Sequence, residues 1–223
     1  MIYSFVCTLL RFILKFAYPK VKLLYLDRLP KDKPYIIVCR HSKSRVNALI
    51  LAAYLGIPLY FIQPYRKPFN LLSRLLMNAL HIVPLRRGWH KLPDQTQPAS
   101  PWSNLRWLIT QNLPAVFFTE NENGQLQVPK GAAKIALHTE EVFDFSLGVE
   151  LIPIHIQHFD HELTLTIEKG IRIAEYQRSY QHYPARTVRD ITNRVQKTLS
   201  RASGGKVCRP FGSLNKKKPT AYT

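Results

Sequence analysis

A chain of 223 residues that is 46% hydrophobic and 11% aromatic has the length and apolar content to bury a core of its own, which excludes global disorder. Its formal charge of +18 calls for an anionic partner, whether nucleic acid, a phospholipid surface or a phosphorylated substrate. Cys7, Cys39 and Cys208 lack C-x-x-C spacing and are odd in number, which argues against a disulfide framework and a zinc site and fits a reducing cytosol.

The chain opens on "MIYSFVCTLLRFILKFAYPK". No small-residue cleavage site follows it, and Arg11 and Lys15 interrupt an apolar run shorter than the ~20 residues a membrane span needs. At helical spacing Phe5, Leu9, Phe12, Ile13 and Phe16 share one side while Arg11 and Lys15 share the other edge. This predicts an interfacial helix over residues 1–22 with its cations toward anionic lipid. The competing reading is a core helix whose cations snorkel.

Strand-like runs follow at 35–39, 58–63, 81–85, 115–118, 149–156 and 162–168, each bounded by turn residues. Helical patterns fall between most of them. Ser44 to Leu55 has a serine cap, a glycine stop at Gly56 and apolar Val46, Leu49, Ile50 and Ala53. Pro68 opens a second helix with Phe69, Leu72, Leu76 and Ala79 on one stripe. A third runs from about residue 100 to Asn112, a fourth follows Lys130 and Gly131, and a last one spans Ala185 to Arg201 with Val188, Ile191, Val195 and Leu199 on a narrow seam. The alternation predicts an α/β domain over 23–202, a mixed, largely parallel sheet flanked by helices. Residues 203–223 read as a basic, disordered tail.

Within this frame "YIIVCRHS" is followed about 40 residues later by "HIVPLRRG", then by "AVFFTENENGQLQVPKGAAK" and by "VELIPIHI". The order and spacing resemble the glycerolipid (lysophospholipid) acyltransferase family, which pairs N-H-x-x-x-x-D with a strand ending in arginine, an F-P-E-G motif before a lysine-glycine helix start, and a late V-P-V strand. The resemblance spans residues 23 to about 157. It implies transfer of a fatty acyl group from an acyl thioester, on coenzyme A or acyl carrier protein, to a hydroxyl of a lysophospholipid or glycerol phosphate. It also implies that His41 is the general base. Arg86, with Arg87 as its rival, would clamp the acceptor's phosphate, Glu120 would shape the acceptor site, and Lys130 with Gly131 would hold phosphate at a helix start. No metal and no bound organic cofactor is implied, since the acyl-CoA or acyl-ACP is a substrate.

Two departures stand out. Val46 occupies the position of the motif's aspartate, and Asn47, one residue later and about 100° round a helix, is the nearest side-chain oxygen and the catalytic candidate to aid His41, with Glu120 or water as the other choices. In "FTENEN", Thr119 and Asn121 replace the proline and glycine around Glu120. The reading is therefore a diverged O-acyltransferase on the cytosolic face of a membrane, peripheral or monotopic, with anionic phospholipid, thioester donor and lysolipid acceptor as partners. The alternative is a catalytically weak or inactive lipid-binding relative. A basic nucleic-acid-binding protein comes third, and no nucleic acid is expected, because no recognition motif accompanies the charge.

Three further groups are set aside. Ser44 suits a helix cap better than a nucleophile beside Lys43. His155, His158, Asp160 and His161 suggest a metal site, but His155 and His158 face opposite sides of a strand and the others fall in a turn, so surface histidines are expected. Trp89, Trp102 and Trp107 flank a Pro-rich connector suited to a lid or bilayer contact, with Trp107 expected in the core.

Overall fold

A computed structural model describes residues 2–40, 44–64, 81–85, 101–119 and 128–201. Its helices are α1 (Ile2–Ala17), α2 (Ser44–Leu55), α3 (Pro101–Thr110), α4 (Lys130–Val142), α5 (Gln177–His182) and α6 (Pro184–Arg201). Its strands are β1 (Lys20–Leu24), β2 (Tyr35–Cys39), β3 (Tyr60–Pro64), β4 (Ile82–Leu85), β5 (Ala115–Phe118), β6 (Glu150–Phe159), β7 (Glu162–Ile167) and β8 (Ile171–Arg172). The helix expected from Pro68 and the tail beyond residue 202 lie outside the described residues.

The strands form one sheet in the order β1-β7-β6-β2-β5-β3-β4, with β8 pairing β6 off that path. Strands β6, β2, β5, β3 and β4 run parallel, β7 turns back antiparallel on β6, and β1 pairs parallel with β7 at the edge. The sequence explains these places. "YIIVC" and "AVFF" are continuous apolar runs, buried at every position, as strands covered on both faces must be. "ELTLTI" alternates intermediate and buried residues. "KVKLL" puts exposed lysines on an edge strand, where charge discourages pairing with another chain.

Two apolar layers fill the faces. On one, Ile37, Cys39, Ile152, Ile154 and Ile156 pack with α2 and the inner side of α1. On the other, Ile36, Val38 and Leu151 pack with α3, α4 and α6. The seam of α6 is buried as its spacing predicts, with Ile191 and Leu199 fully enclosed. Gly56 and Asn112 take left-handed conformations just past α2 and α3, closing each helix where a cap was expected.

Among the connector tryptophans one expectation is corrected, and Trp89 lies outside the described residues. Trp107, expected in the core, is 58% exposed, and Trp102 is buried. The stripe of α3 that meets the sheet carries Trp102, Leu105 and Ile109, and Trp107 sits between these positions on the far side.

Helix α1 is docked on the domain by polar contacts. The Tyr3 hydroxyl donates to the Ile57 carbonyl at 2.9 Å and accepts from the Leu59 amide at 3.2 Å. The Arg11 guanidinium donates twice to the Ala53 carbonyl, at 2.7 and 3.0 Å, in the last turn of α2. That carbonyl has no partner within its own helix, and the negative end of the helix favours a cation there. Cys7 and Leu14 face inward, whereas Phe5, Leu9, Phe12, Ile13 and Phe16 are all exposed, Phe16 by 76%. No helix among the described residues is long and apolar enough to cross a membrane.

Candidate active site at the carboxyl rim

The parallel strands β2, β5 and β6 end at one rim of the sheet, and α4 begins there because it carries the chain from the end of β5 back to the start of β6. The backbone stays ordered one step past the strands: the Thr119 amide donates to the Cys39 carbonyl at 3.0 Å, and the Arg40 amide to the Ile154 carbonyl at 3.1 Å. His41 is the next residue in the chain. It lies outside the described residues, as do Arg86, Arg87 and Glu120.

Asn47, Lys130 and Gly131 are described. Lys130 is exposed at the first position of α4, and Gly131 is buried beside it. Pro129 precedes them as N-cap and supplies no side-chain hydrogen bond, so the first turn of α4 keeps its positive end. Val46, at the motif's aspartate position, is 37% exposed on α2, while Asn47 is fully buried.

Asn47 is the centre of a hydrogen-bonded chain. Its Nδ2 points to the Arg40 carbonyl at 3.5 Å, which fixes the orientation of the amide because only the nitrogen can donate there. Its Oδ1 then accepts from His158 Nε2 at 3.0 Å. That leaves His158 Nδ1 as an acceptor for the Tyr18 hydroxyl, at 3.0 Å. Tyr18, just past α1, His158 on β6 and Asn47 on α2 thus lead to the carbonyl of the residue before His41.

His155 lies on the same strand and the opposite face. It is 5% exposed, and its Nδ1 has no hydrogen-bond partner. Burial first, and then the charge of Arg40, push its pKa down to about 4, so the ring is neutral at physiological pH. The expectation that His155 and His158 are surface histidines is therefore corrected. Strand β6 runs through the middle of the sheet, and its pleat hands one ring to each layer. Asp160 and His161 do form the turn into β7. Among the described residues no three His, Cys, Asp or Glu side chains gather as metal ligands would.

Sequence reasoning missed Tyr18, Arg40, His155 and His158 at this rim. For the two histidines the available signal was that they and a glutamine follow the apolar "LIPI" within the strand "ELIPIHIQHF".

No family model and no curated protein matches the sequence. The structure is similar to that of the 1-acyl-sn-glycerophosphate (LPA) acyltransferase PlsC from Thermotoga maritima, with a TM-score of 0.56 and 15% identity over 89% of this chain and 81% of that one. The chain has a PlsC-like fold. In this PlsC-like sheet the carboxyl rim carries the strand end before His41, the start of α4 and both histidines of β6. At such a rim an α/β sheet presents loops and helix starts to a ligand.

Proposed function

We propose that the protein is an O-acyltransferase that moves a fatty acyl group from an acyl thioester to a hydroxyl of a lysophospholipid or glycerol phosphate. The PlsC-like fold carries this reading, together with a histidine two residues past the central strand β2. His41 takes the proton of the acceptor hydroxyl, whose oxygen attacks the thioester carbonyl. The C–S bond breaks as the ester forms, and the imidazolium returns the proton to the departing thiolate. Arg86 or Arg87 clamps the acceptor's phosphate, Glu120 shapes its site, and Lys130 with Gly131 adds the positive start of α4.

Asn47 has a different part from the motif's aspartate. Through the Arg40 carbonyl it holds the peptide that leads into His41, so it acts as a positioning residue. The five exposed apolar side chains of α1 suit a seat in the headgroup region of the cytosolic leaflet, near a membrane-borne acceptor. No metal and no resident cofactor enters this scheme.

A second reading, a weakly catalytic lipid-binding protein, is favoured by one observation: the Asn47 oxygen is already engaged by His158. An acyl-transfer assay of the full chain decides between them, with lysolipids and glycerol phosphate as acceptors and both acyl-CoA and acyl-ACP as donors. Turnover lost in His41→Ala is expected. Equal rates with and without the imidazole remove His41 as base, and no turnover with any pair leaves the lipid-binding reading.

A further inference from the structure

Arg40 extends the β2 ladder by one residue, so the cross-strand neighbours beyond Cys39 and Ile154 are Arg40 and His155. Alternation places both on the face where Ile36, Val38 and Leu151 pack under α3, α4 and α6, since Cys39 and Ile154 belong to the other layer. Arg40 as a residue is partly buried, and its guanidinium pairs with no carboxylate among the described residues. The enclosed His155 ring has an orphaned nitrogen, and a buried polar group left unsatisfied is a net cost to the fold.

The buried orphan nitrogen of His155 and the cation on the neighbouring strand suit one ligand. A guanidinium fork matches two oxygens of a phosphate, and a neutral imidazole still offers one N–H to a third. The positive charge of Arg40 disfavours a second cation beside it, so the partner that completes both groups is an anion with several acceptor oxygens. The start of α4, to which its N-cap Pro129 gives no side-chain hydrogen bond, lies at the same end of the sheet and on the same face. We propose that Arg40 and His155 form a subsite for a phosphate oxyanion at the rim of β2 and β6. The transferase reading bears only on which molecule brings the phosphate, the glycerol phosphate acceptor or the thioester donor.

The test follows the Arg40 side-chain NH and His155 ring resonances of the full-length protein during titration with inorganic phosphate, then with glycerol phosphate and coenzyme A. Phosphate is expected to move both sets of signals. Arg40→Gln should weaken its binding on the order of tenfold, the loss of one charge-assisted contact. His155→Gln, which keeps an N–H donor, should bind more tightly than His155→Phe. If Arg40→Gln does not fold, Arg40→Lys serves instead, and weaker phosphate binding through loss of the fork supports the subsite. Tighter saturation by glycerol phosphate assigns it to the acceptor, and by coenzyme A to the donor. Signals that none of the three anions moves, or an Arg40 variant that binds phosphate as the wild type does, overturn the proposal. Phosphate binding without turnover removes the transferase reading alone, and turnover with stationary signals removes the subsite alone.

Discussion

Helices α1 and α6 are both amphipathic, they lie on opposite faces of the sheet, and they use their two sides in opposite ways. On α6 the apolar seam of Val188, Ile191, Val195 and Leu199 is buried against the sheet, and the cations Arg186, Arg189, Lys197 and Arg201 face outward. On α1 the cation Arg11 reaches in to the end of α2, while Phe5, Phe12 and Phe16 face out. Amphipathic spacing fixes the angle between two faces. It does not say which face meets the protein.

The sharpest way to break this comparison is to change both apolar surfaces and measure two quantities. Replacing Phe12 and Phe16 with serine removes two aromatic groups worth ~1.5–3 kcal/mol each when buried in lipid. Binding to anionic phospholipid vesicles, measured by flotation, should therefore fall by more than a hundredfold while the thermal midpoint stays within error. Vesicle binding that survives the double substitution ends the interfacial role of α1. Ile191→Ala on α6 should do the reverse, lowering unfolding free energy by ~2–5 kcal/mol in a denaturant titration and leaving vesicle affinity alone.

A smaller effect separates the histidines that β6 sends to the two faces. The unfolded His155 titrates near its ordinary 6.5 and the folded one near 4, so between these values the unfolded chain binds a proton that the folded chain does not. Stability must therefore fall as pH drops through that window, by on the order of 2–3 kcal/mol. His155→Phe should flatten that part of the stability profile, and an unchanged slope would show that the ring is not held neutral. The smallest effect is expected from Arg11→Ala, which uncaps α2 at a cost of about 1 kcal/mol without weakening the apolar face. A larger loss would mean that Arg11 anchors the whole helix.

Most of the scaffold was legible in the sequence because it rests on local signals. Ser44 and Gly56 bracket α2, Asn112 marks the turn after α3, and the β-branched runs of β2 and β5 need no context to be read as buried strands. What was not legible depends on distant partners. Strand β1 is a lysine-rich pentapeptide that becomes a strand by pairing with β7. His158 is settled by Asn47 and Tyr18, which lie 111 and 140 positions away. Arg40 and His155 become neighbours only through the register of β2 on β6. Trp107 is exposed against expectation because a tryptophan's size argues for burial, whereas its place off the buried stripe of α3 decides the matter.

The edge pairing of β1 with β7 bears on how the chain folds. Lys20 lies opposite Glu162, so among the described residues the strand that follows α1 finds its hydrogen-bonding mate only in a strand much later in the chain. Closing the edge of the sheet therefore requires a contact of long sequence separation, the kind whose loop-closure cost slows folding.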